Sequence, residues 1–470
     1  MPDGGSATTL VTQPAHAMHP RVLLKAPVAP PIPEQIKAAE PTTIVLGLSG
    51  DSADTAEELR RHYIHLLSAE TKTISVAELA YDSTVGHGIP GKYRAAISGK
   101  PRDVDQLVES LRAVKIAAIP ERPRKIIYLF SGQGGQSLGM GAALYKAAPI
   151  FRRTVDECQE MLVSWGFDGM LPFVKGVPSN DDSVPALEAE HTGIFAIEYA
   201  LACMWTAWGV QPDVVMGQSL GEFTALVWSG VLSLEEGLWL VWQRARITRE
   251  RCARDSSAML VIMAPLRVIE ETIREYDGLT MVCFNCDTNG IVGGDIEQIE
   301  LMEKVCEEKK WWCRRASVRY AYHTASMNPI LDELLSLANT LTFSAPIIPV
   351  ASAVHGVVVE PGDASVFGPE YFAHHASRPV LFQQCIDALA ARDIELASDG
   401  VWLEIGPHTT ILPLLKLHGA VKGETVQVGS MQRGEVDEEV LCRTLARLYC
   451  AGSPVDWQNV FHELAMTSRN

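Results

Sequence analysis

Residues 217–221 read GQSLG and fit the pattern G-x-S-x-G. They follow a short apolar strand, 213–216, and precede an apolar helix that begins at about residue 222. This is the context in which such a motif presents a nucleophile, because a sharp turn between small residues projects the serine hydroxyl. A glycine-rich turn with a capping serine is the alternative. The flanking strand and helix favour the first reading, and they predict that Ser219 is a nucleophile.

A serine hydroxyl needs a nearby base to react. Among the thirteen histidines, His323 stands out because it follows the last strand of an inserted unit, where the chain returns to the main domain. His374 and His375 remain rivals on spacing alone. A histidine buried in the core or placed in a loop is the alternative for His323. On residue spacing alone, His323, His374 and His375 all remain candidates for the base.

A glycine-rich turn, SGQGGQ at residues 131–136, follows another apolar strand. It fails the dinucleotide template G-x-G-x-x-G because Ser137 stands at the last glycine position, and no Walker lysine follows. A turn of this kind can also direct backbone N–H groups at an oxyanion. Cys283 and Cys286 lack a second cysteine pair or a nearby histidine, so we predict no metal site there.

The elements that position these residues fall into four regions of an α/β protein. Residues 1–42 are rich in Pro and Ala and predict an extended tether, and residues 43–122 predict a small α/β unit with a scaffold role. In residues 123–424 strands alternate with helices, which predicts a mostly parallel sheet covered on both faces. Within it, residues 257–321 read βαββαβ and predict a ferredoxin-like subdomain. Residues 425–470 predict a helix followed by a tail.

Composition excludes several classes of function. The chain has 470 residues and a net charge of −17, which disfavours binding to a phosphate backbone. No signal segment and no run of about 18 apolar residues is present, so we expect no membrane partner. Ten cysteines, mostly isolated, are typical of reduced thiols. We therefore expect a cytoplasmic protein.

Five motifs occur in the order found in malonyl-CoA:acyl carrier protein transacylases: FSGQGGQSLGMG, GQSLGEFTALVWSGVLSLEEGLWLVWQRA, MVCFNCDTNGIVGG, YAYHTASM and WLEIGPH. The chain resembles in particular the malonyl/acyl transferase domain of fungal iterative, non-reducing polyketide synthases. The resemblance covers roughly residues 43–460. It implies an α/β-hydrolase-like acyltransferase core with an inserted ferredoxin-like subdomain, preceded by a ketosynthase-to-acyltransferase linker domain and followed by a post-acyltransferase linker at 425–470.

The resemblance also implies roles for single residues. Ser219 carries the acyl group, and His323 is its base in a Ser–His dyad. A backbone carbonyl within residues 374–380, HHASRPV, orients the imidazole. The N–H groups of Gln133 and Leu220 form the oxyanion hole.

Two further residues are implied to contact the substrate. Arg244 holds the malonyl carboxylate, for which the planar guanidinium fork is well suited. A solvated helix face is the alternative, because Arg246, Arg249 and Arg251 are close by. Asn285 lines the site.

Three positions depart from the pattern of the family. Gln218 replaces the histidine that is usual before the nucleophile, and Gly193 stands where a glutamine is usual. Ser131 stands where proline is frequent, which is a milder change. We expect the first two to touch the pocket and to affect which acyl group is accepted.

The resemblance therefore implies transfer of a malonyl group from coenzyme A to the phosphopantetheine thiol of an acyl carrier protein through an acyl-serine. It implies no permanently bound cofactor, and it implies an acyl carrier protein, a ketosynthase and other polyketide synthase domains as partners. A split piece of a synthase and a stand-alone transferase both remain open.

Two alternatives are a serine hydrolase or thioesterase of α/β-hydrolase type and a catalytically impaired docking fragment. Hydrolases of that type place an Asp or Glu between Ser and His in sequence and carry no such insertion. The departures at Gln218 and Gly193 are the reason to consider a docking fragment.

Overall fold

The computed structural model describes residues 41–69, 74–86, 91–177, 186–421 and 424–465. Nearly all of the predicted tether, residues 1–42, lies outside the described residues. The described strands form three sheets of three, six and four strands. In this part of the chain, no helix is both long enough and apolar enough to cross a membrane.

The three-stranded sheet is antiparallel and belongs to the amino-terminal unit, with the strand order β1-β2-β3. Its elements are β1 (Ile44–Gly50), α1 (Ala53–Ser68), α2 (Val76–Tyr81), β2 (Tyr93–Gly99), α3 (Val104–Ala113) and β3 (Ala117–Ala118). Helix α1 begins where Ser52 forms a capping box with Thr55. This unit is the small α/β domain that the sequence predicts.

The six-stranded sheet forms the centre of the molecule, in the order β11-β10-β5-β4-β12-β13. Its strands are β4 (Ile126–Phe130), β5 (Val214–Gly217), β10 (Val350–Ser352), β11 (Val357–Val359), β12 (Val401–Ile405) and β13 (Val426–Gly429). All neighbours pair in parallel except β10 and β11. The predicted parallel sheet is confirmed.

Helices cover both faces of this sheet. They are α4 (Ala142–Ala147), α5 (Pro149–Ser164), α6 (Leu171–Lys175), α7 (Leu187–Ala207), α8 (Gly221–Trp228), α9 (Leu234–Arg251), α12 (Asn328–Ala338), α13 (Pro369–Ser377), α14 (Phe382–Arg392), α15 (Ile394–Asp399) and α16 (Leu412–Leu415). Neighbouring residues of β4 enter different apolar clusters, since Tyr128 packs in one and Leu129 in the other. A strand that is buried on both faces reads as a continuous apolar run, as β4 does.

The four-stranded sheet is the inserted subdomain, with the antiparallel order β7-β8-β6-β9. It comprises β6 (Ser257–Met263), α10 (Leu266–Ile273), β7 (Thr280–Cys286), β8 (Asn289–Asp295), α11 (Ile296–Glu308) and β9 (Trp312–Arg315). The predicted ferredoxin-like subdomain is confirmed. Its last strand ends earlier than predicted, at Arg315, so a loop leads from there to His323.

The carboxyl-terminal region differs from its prediction. Residues 457–465, predicted as a tail, form helix α18 (Trp457–Ala465), because Trp457, Val460, Phe461 and Leu464 recur at helical spacing. Helix α17 (Asp437–Cys450) packs against β1 and β2 of the amino-terminal unit. Strand β13 completes the central sheet, so the predicted boundary at residue 425 separates this strand from its own sheet. The domain boundaries remain a proposal.

Candidate active site

Ser219 occupies the sharp turn between β5 and α8, with φ at +52°. The two glycines of the motif are required by close backbone contacts. A Cβ at position 217 would lie 2.2 Å from the Glu222 nitrogen, and one at position 221 would lie 2.3 Å from the Phe130 oxygen. The strained serine therefore sits on a turn that only small neighbours permit, as the motif requires.

His323 lies within hydrogen-bonding distance of the predicted nucleophile. Its Nε2 is 2.8 Å from Ser219 Oγ, and its Nδ1 is 3.0 Å from the Arg378 carbonyl oxygen. Because Nδ1–H donates to that carbonyl, Nε2 is left to accept from the hydroxyl. Arg378 lies within residues 374–380, where the resemblance implies an orienting carbonyl.

The two rival histidines make other contacts. His375 Nε2 lies 2.9 Å from the backbone oxygen of Ser219, and His374 Nε2 lies 2.9 Å from the Arg378 guanidinium. Neither ring bonds to the Ser219 hydroxyl in the structure. His323 is therefore the histidine that is placed to take its proton.

Burial and charge keep the His323 imidazole neutral. Burial, and then the nearby Arg244 guanidinium, lower the pKa of His323 to about 3. The ring is consequently unprotonated at neutral pH and able to accept a proton.

The buried carboxyl group of Glu222 links the helix that follows the nucleophile turn to other segments of the chain. Glu222 accepts a hydrogen bond from the Ala353 N–H at 2.9 Å and another from the Tyr371 hydroxyl. Its second oxygen lies 3.6 Å from His375 Nε2. Burial raises the pKa of Glu222 to about 7. Sequence reasoning missed this support because its members come from three separate segments.

The glycine-rich turn at 131–136 packs directly against the nucleophile turn. Gly132 has φ +67°, and a Cβ there would lie 2.1 Å from the Gln218 oxygen. Within the described ranges, the N–H groups of Gln133 and Leu220 have no hydrogen-bond acceptor. The two predicted oxyanion donors thus lie on adjoining turns, and both are available to a substrate.

Arg244 is completely buried on α9, and its three guanidinium nitrogens have no hydrogen-bond partner among the described residues. The guanidinium carbon lies 4.7 Å from the ring centre of Tyr322 and 5.8 Å from that of Phe223. Burial lowers the pKa of Arg244.

The neighbouring arginines behave differently from Arg244. Each pairs with an acidic side chain: Arg246 with Glu250, Arg249 with the buried Glu188 and Arg251 with Glu333. The alternative of a solvated helix face therefore applies to Arg246, Arg249 and Arg251 and not to Arg244. A buried cation without a counter-ion is costly, so an anion bound at this position would stabilise it.

Gln218 and Asn285 are brought together where the inserted subdomain meets the nucleophile turn. Gln218 Nε2 donates to Asn285 Oδ1 at 3.2 Å, and Asn285 Nδ2 donates to Asn289 Oδ1 at 2.7 Å. The Cys283 thiol also donates to Asn285 Oδ1, at 2.9 Å. This chain of contacts holds β7 against the turn.

The expectation that Gly193 touches the pocket is wrong, because a side chain at this position would point into the apolar core. A Cβ there would lie 3.1 Å from Phe173 and 3.5 Å from Met140, which belong to the apolar core. Two residues earlier on the same helix, His191 is fully buried and lies at the site. Its Nε2 is 2.8 Å from Gln133 Nε2 and 3.4 Å from the Tyr322 hydroxyl. The signal available in the sequence for His191 was its place beside Glu190, just before a long run of mostly apolar residues in the same helix.

A strained serine on a strand–helix turn, a histidine after a ferredoxin-like insertion and a central parallel sheet define the α/β-hydrolase-like acyltransferase class. Residues 127–455 match the family model described as acyl transferase domain. The chain belongs to this family.

The similar curated proteins are fungal polyketide synthases. Orsellinic acid synthase from Armillaria mellea is 36% identical over 433 residues, which are 90% of this chain and 19% of that protein. Orsellinic acid synthase from Emericella nidulans is 32% identical over 98% of this chain and 21% of that protein. Non-reducing polyketide synthase stmB from Aspergillus ustus is 30% identical over 91% of this chain and 21% of that protein. The chain thus spans about a fifth of the length of these relatives.

Solved acyltransferase domains share the fold. The acyl transferase domain of SpnD, in complex with 2-(pent-4-yn-1-yl)malonyl, superposes with a TM-score of 0.75 at 26% identity, over 92% of this chain and 99% of that one. The acyl transferase domain of ZmaA superposes with a TM-score of 0.77 at 26% identity, over 90% and 97% of the two chains. The predicted fold and family are both confirmed.

Proposed function

We propose that this acyltransferase moves a malonyl group from coenzyme A to the phosphopantetheine thiol of an acyl carrier protein, through an ester on Ser219. We choose malonyl because the buried Arg244 guanidinium has no hydrogen-bond partner among the described residues. A carboxylate is the group that best satisfies it, because a planar fork binds two oxygens at once.

The first half of the reaction forms the acyl-serine. His323 Nε2 takes the Oγ proton as Oγ attacks the thioester carbonyl, and the N–H groups of Gln133 and Leu220 receive the developing oxyanion. Each such donor contributes about 3 kcal/mol in related acyl-transfer enzymes. Collapse of the intermediate breaks the carbon–sulfur bond, and His323 returns the proton to the departing thiol.

The second half reverses these roles. His323 removes the proton of the pantetheine thiol, which attacks the ester, and the same two N–H groups receive the oxyanion. The proton on His323 then goes to Ser219 Oγ as the acyl group leaves. No resident cofactor is needed for either half, because coenzyme A and the carrier protein bring the reacting groups.

Arg244 also links substrate choice to the strength of the base. Its charge lowers the pKa of His323. A malonyl carboxylate bound to Arg244 offsets that charge, so the imidazole becomes a stronger base when the correct acyl group is present. An acetyl group cannot do this.

The alternatives are not favoured. The chain belongs to a transferase family, which speaks against a hydrolase. The 2.8 Å Ser219–His323 contact speaks against an impaired docking fragment. The proposed partners are therefore an acyl carrier protein, a ketosynthase and further polyketide synthase domains.

The choice of malonyl is tested with Arg244→Ala. Charge-assisted hydrogen bonds contribute about 1.5–3 kcal/mol, so kcat/KM for malonyl-CoA should fall roughly 10- to 150-fold. Acetyl transfer should hold or rise, because acetyl makes no contact with the guanidinium. Arg244→Lys should restore the malonyl rate only in part, since an ammonium lacks the fork.

The control is Arg246→Ala, which removes a half-buried, ion-paired arginine from the same helix. It should leave the ratio of malonyl to acetyl kcat/KM unchanged. If the ratio in Arg244→Ala equals that of the parent, Arg244 does not bind the carboxylate and malonyl loses its priority as substrate.

The acylation rate should also not fall as the pH is lowered through neutrality. The ordinary histidine pKa is 6.5, whereas that of buried His323 is about 3. The base therefore stays unprotonated as the pH falls from about 8 to 5, and kcat/KM for acylation, which reports the free enzyme, should be flat over the acid part of this range. Single-turnover acylation across these pH values measures it. Because the pKa of Glu222 is about 7, the same profile is measured in Glu222→Gln. A decline with a midpoint near 6.5 that persists in this variant would contradict the argument.

A further inference from the structure

Glu198 is a fully buried carboxyl group on α7 that the proposed mechanism does not use. Both of its oxygens make hydrogen bonds to other elements. Oε1 accepts from the Gly132 N–H at 2.7 Å, and Oε2 lies 2.7 Å from Thr224 Oγ1. One carboxyl group therefore bridges the glycine-rich turn and helix α8.

The two ends of this bridge adjoin the two oxyanion donors. Gly132 immediately precedes Gln133, and Thr224 lies one helical turn after Leu220. The donors come from different elements, so their separation depends on how the turn and the helix are held together. Oxyanion stabilisation requires donors at about 2.7–3.1 Å from the reacting oxygen, which leaves little tolerance. A link that touches both elements is well placed to set this geometry.

The surroundings of Glu198 are not those of an ion pair. In the part of the chain that the structure describes, no lysine, arginine or histidine bonds to it. The charged group that faces it is Glu404 on β12, which accepts hydrogen bonds from the Ser131 hydroxyl at 2.9 Å and from the Ile411 and Leu412 N–H groups, also at 2.9 Å. The turn and α8 contribute only the Gly132 N–H and the Thr224 hydroxyl.

We propose that Glu198 is a positioning residue that sets the spacing between the N–H donors of Gln133 and Leu220, because it bonds to Gly132 and Thr224 at once. Oε1 accepts from the Gly132 N–H, and Oε2 accepts from the Thr224 hydroxyl. When the carboxyl group is neutral, its O–H donates to Thr224 Oγ1 instead, so both links are kept. The inference rests on the proposed function, because it assumes that an oxyanion forms at Ser219.

The neutral form has a physical cause. Burial raises the pKa of Glu198 to about 8, and the nearby Glu404 carboxylate contributes to this rise. Ionisation above that pH places a negative charge beside the donors that must stabilise another one. Acylation by the parent enzyme should consequently decline as the pH rises through about 8.

Two substitutions separate the position of the group from its charge. Glu198→Gln keeps both bonds, since the amide oxygen accepts from Gly132 and the amide N–H donates to Thr224. Its acylation rate at neutral pH should stay within about threefold of the parent, and the decline through pH 8 should disappear. Glu198→Leu removes both bonds, and kcat for acylation should fall roughly 10- to 1,000-fold.

The readout that distinguishes positioning from simple support is the split between kcat and KM. The oxyanion is absent from bound malonyl-CoA and develops only in the transition state and the tetrahedral intermediate, so Glu198→Leu should lower kcat and leave the KM for malonyl-CoA unchanged. If Glu198→Leu fails to fold, Thr224→Val replaces it, because this near-isosteric change removes one end of the bridge. It should lower kcat in the same selective way, by a smaller factor.

The outcomes are separable from those of the proposed function. If malonyl-CoA leaves no acyl group on the parent Ser219, the proposed function fails. If the parent is acylated and Glu198→Leu or Thr224→Val keeps the full kcat, the positioning role is overturned. It is equally overturned if Glu198→Gln shows the same alkaline decline as the parent, or if kcat and KM change together.

Discussion

Ser219→Ala is expected to abolish formation of the acyl-enzyme. The Ser219 hydroxyl is the group that bonds to His323 Nε2, at 2.8 Å, on a turn that directs it toward the two free N–H donors. Alanine keeps the turn and removes the oxygen that must form the ester. Incubation with malonyl-CoA followed by intact-protein mass spectrometry should therefore show the added malonyl mass in the parent and none in the variant.

Ser229→Ala is a matched control for that experiment. Ser229 is buried directly after the same helix, α8, and its hydroxyl donates to the Leu226 carbonyl at 3.1 Å. This variant should acquire the malonyl mass as the parent does. If Ser219→Ala still gained the malonyl mass, the ester would lie on another residue and the nucleophile assignment would be wrong.

His323→Ala should slow acylation by a factor of roughly 10² to 10⁴, which is the usual contribution of a positioned general base. Ser219 Oγ would then lose its proton acceptor, while the oxyanion donors remain in place. Rapid-quench measurement of acyl-enzyme formation gives the rate. Added imidazole should restore part of it, because the deleted side chain leaves a space beside Oγ.

The rival histidines provide the controls for the base. His374→Ala should stay within about threefold of the parent, because this ring contacts the Arg378 side chain rather than the serine hydroxyl. His375→Ala should have a smaller effect than His323→Ala, because His375 bonds to the Ser219 backbone oxygen. An unchanged rate in His323→Ala, with the loss found in His374→Ala or His375→Ala instead, would move the role to that residue.

The nucleophile turn could be predicted from the sequence because its residues are contiguous. A strand, GQSLG and a helix specify a sharp turn whatever the rest of the chain does, and the glycines at 217 and 221 are needed by contacts within that motif and with β4. Alternation of strands and helices likewise predicts a parallel sheet, and βαββαβ predicts the inserted subdomain. Short-range patterns carry these features, so one sequence suffices to recognise them.

The tertiary structure alone decided which groups complete the site. The Arg378 carbonyl that orients His323 is a backbone atom, and backbone atoms leave no signature in residue type. Arg244 differs from Arg246 only in the helix face on which it lies, and packing of α9 buries Arg244 completely but leaves Arg246 partly open to solvent and paired with Glu250. His191 rather than Gly193 faces the site for the same reason, on α7.

The bridge made by Glu198 depends on tertiary structure in a further way. Gly132, Glu198 and Thr224 are far apart in sequence, and their contacts exist only once α7 packs across the two turns. Motifs within the sequence thus determined the nucleophile turn and the fold that presents it. The electrostatic environment of that turn was decided by long-range packing, because the pKa of a group and the availability of a donor depend on burial and on partners brought together from distant segments.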